Sequence, residues 1–181
     1  MCRIKPLRER GLDAVSIADV MSATGLTHGG FYGHFPSKNA LAASACELAF
    51  EMSAEKWRQR VDGARSPGAA RWRIAEGYLS LTNRDPMVAT CPTATLVTDV
   101  ARAGQEHPIR QKYLAGVGRQ IETLATLVDS GDPERDRAEA CVQLATMMGA
   151  LLLARATHGD PLADEIVDAA RAHLVREGNA Q

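Results

Sequence analysis

Ser16-Ile-Ala-Asp-Val-Met-Ser-Ala-Thr-Gly-Leu-Thr-His-Gly-Gly-Phe-Tyr-Gly-His-Phe-Pro-Ser-Lys-Asn-Ala-Leu41 is the stretch whose reading decides the fold. Ser16 has the chemistry of an N-cap for a short helix that turns Ile17, Val20 and Met21 inward. Gly25 suits a left-handed turn, and Thr27 caps a second short helix. The predicted helices at 17–23 and 28–34 therefore have helix-turn-helix spacing. Three of the chain's eight aromatic residues, Phe31, Tyr32 and Phe35, fall within five positions and give so small a unit a dense apolar anchor. Gly29 and Gly30 lie in the first turn of the second helix, where each costs about 1 kcal/mol relative to Ala. A backbone left bare at that cost suits the close approach of a DNA strand. On periodicity alone, a short helical hairpin that binds nothing fits as well.

Outward from this stretch the chain reads as all-α. Ala is abundant, alternating β-type runs are absent, and Gly or Pro punctuates segments of helical length. Further helices are predicted at 37–60, 68–84, 92–103, 108–129, 134–157 and 161–176. With 181 residues, 45% apolar and 24% charged, the chain has the composition of a globular protein rather than a disordered one. The net charge of −1 is unevenly spread. Residues 1–40 carry five basic side chains against three acidic ones (+2), and the remainder carries 16 against 19 (−3). The front end is thus mildly basic, which gains meaning beside a candidate DNA-binding motif.

Several function classes find no support in the sequence. Cys2, Cys46, Cys91 and Cys141 form no CxxC pair, and the five histidines are dispersed, so no metal site is expected. No G-x-S-x-G, H-E-x-x-H, G-x-G-x-x-G or P-loop pattern occurs, so no catalytic residue and no cofactor is assigned and the chain is not read as an enzyme. The longest apolar run, Leu144 to Ala154, is interrupted by Thr146 and Gly149 and falls short of the ~20 residues of a spanning helix. No apolar h-region follows the charged N-terminal residues. A cytoplasmic protein without membrane contact is the expectation.

The quoted stretch closely resembles the DNA-binding segment of the tetracycline-repressor (TetR-like) family of bacterial transcriptional regulators. Gly25, Thr27, Gly29, Tyr32, Phe35, Ser37, Lys38 and Leu41 match in register, and the likeness covers about residues 11–45. It implies a helix-turn-helix DNA-binding domain over residues 1–40 and a helical effector-binding and dimerisation domain over residues 41–181. It implies that Thr27, His28 and Gly29 face the major groove of double-stranded operator DNA, while Ser16, Tyr32, His34 and Lys38 engage phosphates. The chemistry agrees: Lys38 joins a mobile cation to the unpaired amides of a helix start, and His28 can donate to a purine acceptor. The chain departs from the family pattern at Met21, Gly30 and Gly33. The family also carries a first helix of several turns ahead of the position of Gly11, where only ten residues, Pro6 among them, stand here. That helix is expected to be short or broken.

The predicted body supplies three further expectations. Trp57, Trp72, Tyr78 and Tyr113 are candidates for walling an apolar pocket that admits a small-molecule effector. Helices 134–157 and 161–176 are apolar enough to bury a second face, which fits a homodimer and hence a palindromic operator; the resemblance implies the same dimer. Cys91 precedes Pro92 and is expected at the N-cap of a helix, where an exposed thiol would be reactive. The leading reading is a ligand-responsive repressor. The alternatives are a dimeric ligand-binding protein with an inactive DNA head, a thiol-based redox sensor, or an all-α enzyme using Cys91 or a histidine.

Overall fold

A computed structural model describes residues 35–84 and 91–179. The helices predicted at 17–23 and 28–34, the shortened first helix, and Ser16, Thr27, His28, Gly29, Tyr32 and His34 lie outside the described residues. Within them all regular structure is helical: α1 Lys38–Asp62, α2 Pro67–Tyr78, α3 Leu81–Arg84, α4 Pro92–Thr95, α5 Val97–Arg102, α6 Pro108–Ala125, α7 Pro133–Ala156 and α8 Leu162–Asn179.

Local chemistry sets most of the helix starts. Helices α2, α4, α6 and α7 all begin on proline, whose fixed φ suits the first turn and whose missing N–H is no loss there. Ser66 accepts the Ala69 amide at 3.1 Å. Asp132 accepts the amides of Glu134 and Arg135 at 3.0 and 3.3 Å. Two other boundaries differ from the sequence expectation. The predicted helix 68–84 is broken at Leu79–Ser80, and the predicted helix 92–103 is broken at Leu96. At the first break Asn83 Nδ2 donates to the carbonyls of Gly77 and Tyr78, at 2.9 Å each, and so satisfies the end of α2. At the second, the Thr95 hydroxyl donates back to the Cys91 carbonyl at 2.8 Å, a side-chain bond that competes with helix continuation. Helix α6 stops at Ala125, short of the predicted 129, and the chain tightens into turns before Asp129 (φ 54°) and Gly131 (φ 84°).

The chain groups into two compact units, residues 1–52 with 89–116 and residues 53–88 with 117–181. In the first, α1 buries Leu41, Ala42, Ala45, Cys46, Ala49 and Phe50, a stripe at helical spacing. The Phe50 ring meets Tyr113 of α6 edge to face, centroids 5.7 Å apart and planes at 76°. A Cβ on Gly116 would lie 2.3 Å from the Phe50 ring, so the glycine is what lets the two helices approach there.

In the second unit α7 packs on α8, α2 and α3, and α8 packs on α2, around Ile74, Leu79, Leu124, Met147, Leu151 and Val167. The joint between α2 and α3 is held from three sides. Arg155 of α7 donates to the Asn83 carbonyl from Nε and Nη2 (2.9 and 2.7 Å), and Arg171 of α8 donates to the Leu79 carbonyl at 2.9 Å. Helix α7 is long and apolar enough to cross a bilayer by length and composition. One of its faces is spent on the core of this unit: Ala140, Leu144, Met147, Leu151 and Ala154 are buried.

The two glycines of α6 should respond oppositely to alanine. Gly116→Ala must displace the Phe50 ring and should cost about 1–3 kcal/mol, read as a fall in melting temperature. Gly118, with open space around its added Cβ, should gain up to about 1 kcal/mol of helix propensity. Equal effects at the two positions in thermal denaturation would contradict the packing described.

Candidate nucleic-acid interface

Of the seven residues assigned to DNA contact, Lys38 lies within the described structure. It opens α1 directly after Ser37, whose hydroxyl accepts the Ala40 amide and whose carbonyl accepts the Leu41 amide, both at 3.1 Å. No acidic residue stands in the first turn. The half-buried Lys38 ammonium and the positive end of a 25-residue helix are thus presented together, a combination suited to a phosphate oxygen. Leu41, Ala42 and Ala45 anchor this end of the helix in the core of its unit, and Lys112 pairs with Glu47 at 2.8 Å further along.

The four aromatic candidates for effector contact do not fall into one compact unit. Trp57, Trp72 and Tyr78 belong to the second unit and Tyr113 to the first. Trp57 and Tyr78 are buried and Trp72 is half-buried. Tyr113 is committed to packing: its ring meets Phe50 and its hydroxyl donates to the Thr93 carbonyl at 2.7 Å. The second unit holds polar features that the sequence did not announce. Arg71 and Gln143 are buried together, Arg71 Nε donating to Gln143 Oε1 at 2.9 Å, with Glu139 3.8 Å from the guanidinium. Gln120 donates to Ser53 at 3.4 Å, again in the core. A cavity of about 360 Å³ is lined by Leu81, Arg84, Ala154, His158 and Asp164 among others, with Arg84 and Asp164 paired at 2.6 Å. No periodicity marks a lone Arg or Gln as a buried partner, because its acceptor lies about 70 residues away in sequence.

Cys91 is the N-cap of α4, as Pro92 predicts, but that helix has four residues and the thiol is only 3% exposed. The exposure on which its reactivity depends is therefore missing. Cys46, 1% exposed, is pushed up to about 12 by burial and, to a lesser degree, by Glu47, with Lys112 opposing. Cys141 is exposed. Burial, with Cys91 and Cys46 adding, likewise pushes the Tyr113 phenol up to about 12.

Alkylation of the folded protein at pH 8 should therefore modify Cys141 and spare Cys46 and Cys91 until unfolding, as peptide mass spectrometry can read. Cys91 reacting as fast as Cys141 would contradict its burial. The folded state also holds the Cys46 and Tyr113 protons more tightly than the unfolded chain, whose values are 9.0 and 10.0. Their contribution is present below about pH 9 and lost as pH rises toward about 12. Urea midpoints should accordingly fall as pH is raised above 9.

Comparison with known proteins bears on what this interface serves. Residues 5–45 match the family described as bacterial regulatory proteins, tetR family. An uncharacterized HTH-type transcriptional regulator of Mycobacterium tuberculosis is 28% identical over 158 residues, covering 82% of this chain and 78% of that one. The Bacillus subtilis regulator YerO is 40% identical over 55 residues, which span 30% of this chain and 19% of YerO. Among solved structures, the reduced form of E. coli NemR aligns with a TM-score of 0.81 at 17% identity, covering 96% of this chain and 91% of that one, a likeness of fold. A TetR transcriptional regulator from Chloroflexus aurantiacus aligns with a TM-score of 0.78 at 27% identity, over 96% and 88% of the two chains. Residues 5–45 thus carry the helix-turn-helix segment of the tetR family of bacterial regulatory proteins, and over most of its length the chain is similar to HTH-type transcriptional regulators and shares the fold of TetR-family structures.

Proposed function

We propose that the protein is a cytoplasmic, homodimeric repressor that grips a palindromic operator through residues 1–40 and releases it when a small molecule enters the helical domain of residues 41–181. The observation that carries the reading is the start of α1. A lysine sits in the first turn of a Ser37-capped helix, a turn that holds no acidic residue, immediately after a stretch with helix-turn-helix spacing. In this reading Ser16, Tyr32, His34 and Lys38 hold phosphates, and Thr27, His28 and Gly29 face the bases. Trp57, Trp72 and Tyr78 are the aromatic residues of the second unit offered to an effector, and Tyr113 serves to brace α1.

The free face of α7 supports the dimer. Ala138, Cys141, Val142, Ala145, Leu153 and Ala156 are exposed at helical spacing, Val142 and Leu153 at 57% and 54%. Nothing lies within 4 Å of a Cβ built on Gly149 on the same side. Small residues flanked by apolar ones allow a second helix pair to approach closely, and an isologous contact of this kind generates a two-fold axis.

Two substitutions test the assignment. Lys38→Ala should weaken binding to every duplex and flatten the salt dependence of log K by about 0.9, one phosphate's share, whereas His28→Ala should change which sequence is preferred. An unchanged salt slope for Lys38→Ala would remove it from the interface. Leu153→Asp should convert the dimer to monomer in sedimentation velocity, and a dimer that persists would place the contact elsewhere.

A further inference from the structure

We propose that Arg102 and His107, which lie outside the helix-turn-helix, form with Lys38 a clasp for one backbone phosphate of the bound DNA. The inference rests on the DNA-binding function proposed above and extends the contact surface into the helices that follow it.

The observation is a recess of about 120 Å³ in the first unit, between the start of α1 and the segment that runs from α5 to α6. Lys38 and Asn39 form one wall; Asp99, Arg102 and His107 form the other, and Ala42 and Ala103 leave the space between them open. The amides of Lys38 and Asn39, as first-turn groups, have no intrahelical acceptor. Arg102 ends α5 and is exposed, so its guanidinium has the freedom to reach a bound group. His107 is oriented by its own turn: Nδ1 accepts the Ile109 amide at 3.2 Å, so the neutral ring carries its proton on Nε2, as a donor.

Charge favours an anion of low charge. Among the described residues that line the recess, Lys38 and Arg102 outnumber Asp99 by one positive charge. A phosphodiester carries one negative charge and matches it. A phosphomonoester carries about 1.5 to 2 negative charges near pH 7, so the Asp99 carboxylate repels it more strongly than a diester. The recess also opens beside Lys38, the residue that the motif already assigns to the DNA backbone. A DNA phosphate reached there has Arg102 as a second cation and His107 as a neutral donor.

The test is a salt titration of affinity for the protein's preferred duplex, by fluorescence anisotropy, for the full chain and its variants. Arg102→Gln should flatten the slope of log K against log salt by about 0.9 on every sequence tested. His107→Ala, which removes a neutral donor, should lower affinity about three- to tenfold with the slope unchanged. Arg65→Gln, exposed in the other unit, should change neither. Circular dichroism and melting temperature show that each variant is folded. An unchanged slope in folded Arg102→Gln overturns the clasp. So does inorganic phosphate competing better than chloride at matched ionic strength through Arg102, because the recess would then hold free phosphate. A wild-type chain that binds no duplex overturns the regulator reading instead, so the two failures are distinguishable.

Discussion

The Phe50 ring against the bare backbone of Gly116 is the contact on which the first unit depends. It lets α1 and α6 approach more closely than any side chain at position 116 would allow, and Tyr113 closes the ring from its edge. Tyr113 is in turn tied to the Thr93 carbonyl, so the segment that carries α4 is fixed to the same point. With α1 held there and along the stripe from Leu41 to Ala49, its first turn has a defined position. Lys38 then faces Arg102 and His107 across one recess instead of ranging over the surface. Packing of a few apolar groups thus sets the geometry of a polar contact surface.

The second unit is organised by a different constraint. Breaking one helix into α2 and α3 frees carbonyl groups that would be costly to bury unpaired. Asn83 and Arg171 donate to them, and Arg155 donates to the Asn83 carbonyl at the end of α3, so that three different helices hold this joint. The Arg71–Gln143 pair follows the same logic inside the core, where removing either partner would leave a buried polar group unsatisfied. These bonds specify one arrangement of α2, α3, α7 and α8. Another side of α7 exposes Val142, Ala145, Leu153 and Ala156, which is where the proposed dimer draws its surface.

Much of this was legible in the sequence, and what was not shares a physical cause. Ser37, Ser66-Pro67, Asp132-Pro133 and Gly159 announce helix ends because capping is a matter of residues two or three apart. The breaks at Leu79 and Leu96 were not announced. The first depends in part on arginines about 70 and 90 residues downstream, and the second on a single threonine hydroxyl that could as well have faced solvent. The cap position of Cys91 followed from Pro92, but its burial depends on how the whole unit packs. The aromatic candidates divide between two units for the same reason: Tyr113 meets Phe50 and the Thr93 carbonyl in the first, and Trp57, Trp72 and Tyr78 belong to the second. The stretch from Ser16 to Leu41 was the most legible feature, since its resemblance is carried by consecutive residues, and residues 5–45 match the tetR family. Arg102 and His107 carry no motif and become meaningful only through the recess they line with Lys38.

Under the proposed function, two copies of this chain read a two-fold symmetric DNA site. Selection of bound duplexes from a random double-stranded library by the purified full chain, followed by sequencing, tests it most directly. Enrichment of one inverted repeat is expected, its two half-sites related by a dyad and bound by an even number of chains. Enrichment of no sequence, or of a single unrepeated site bound by one chain, would contradict it.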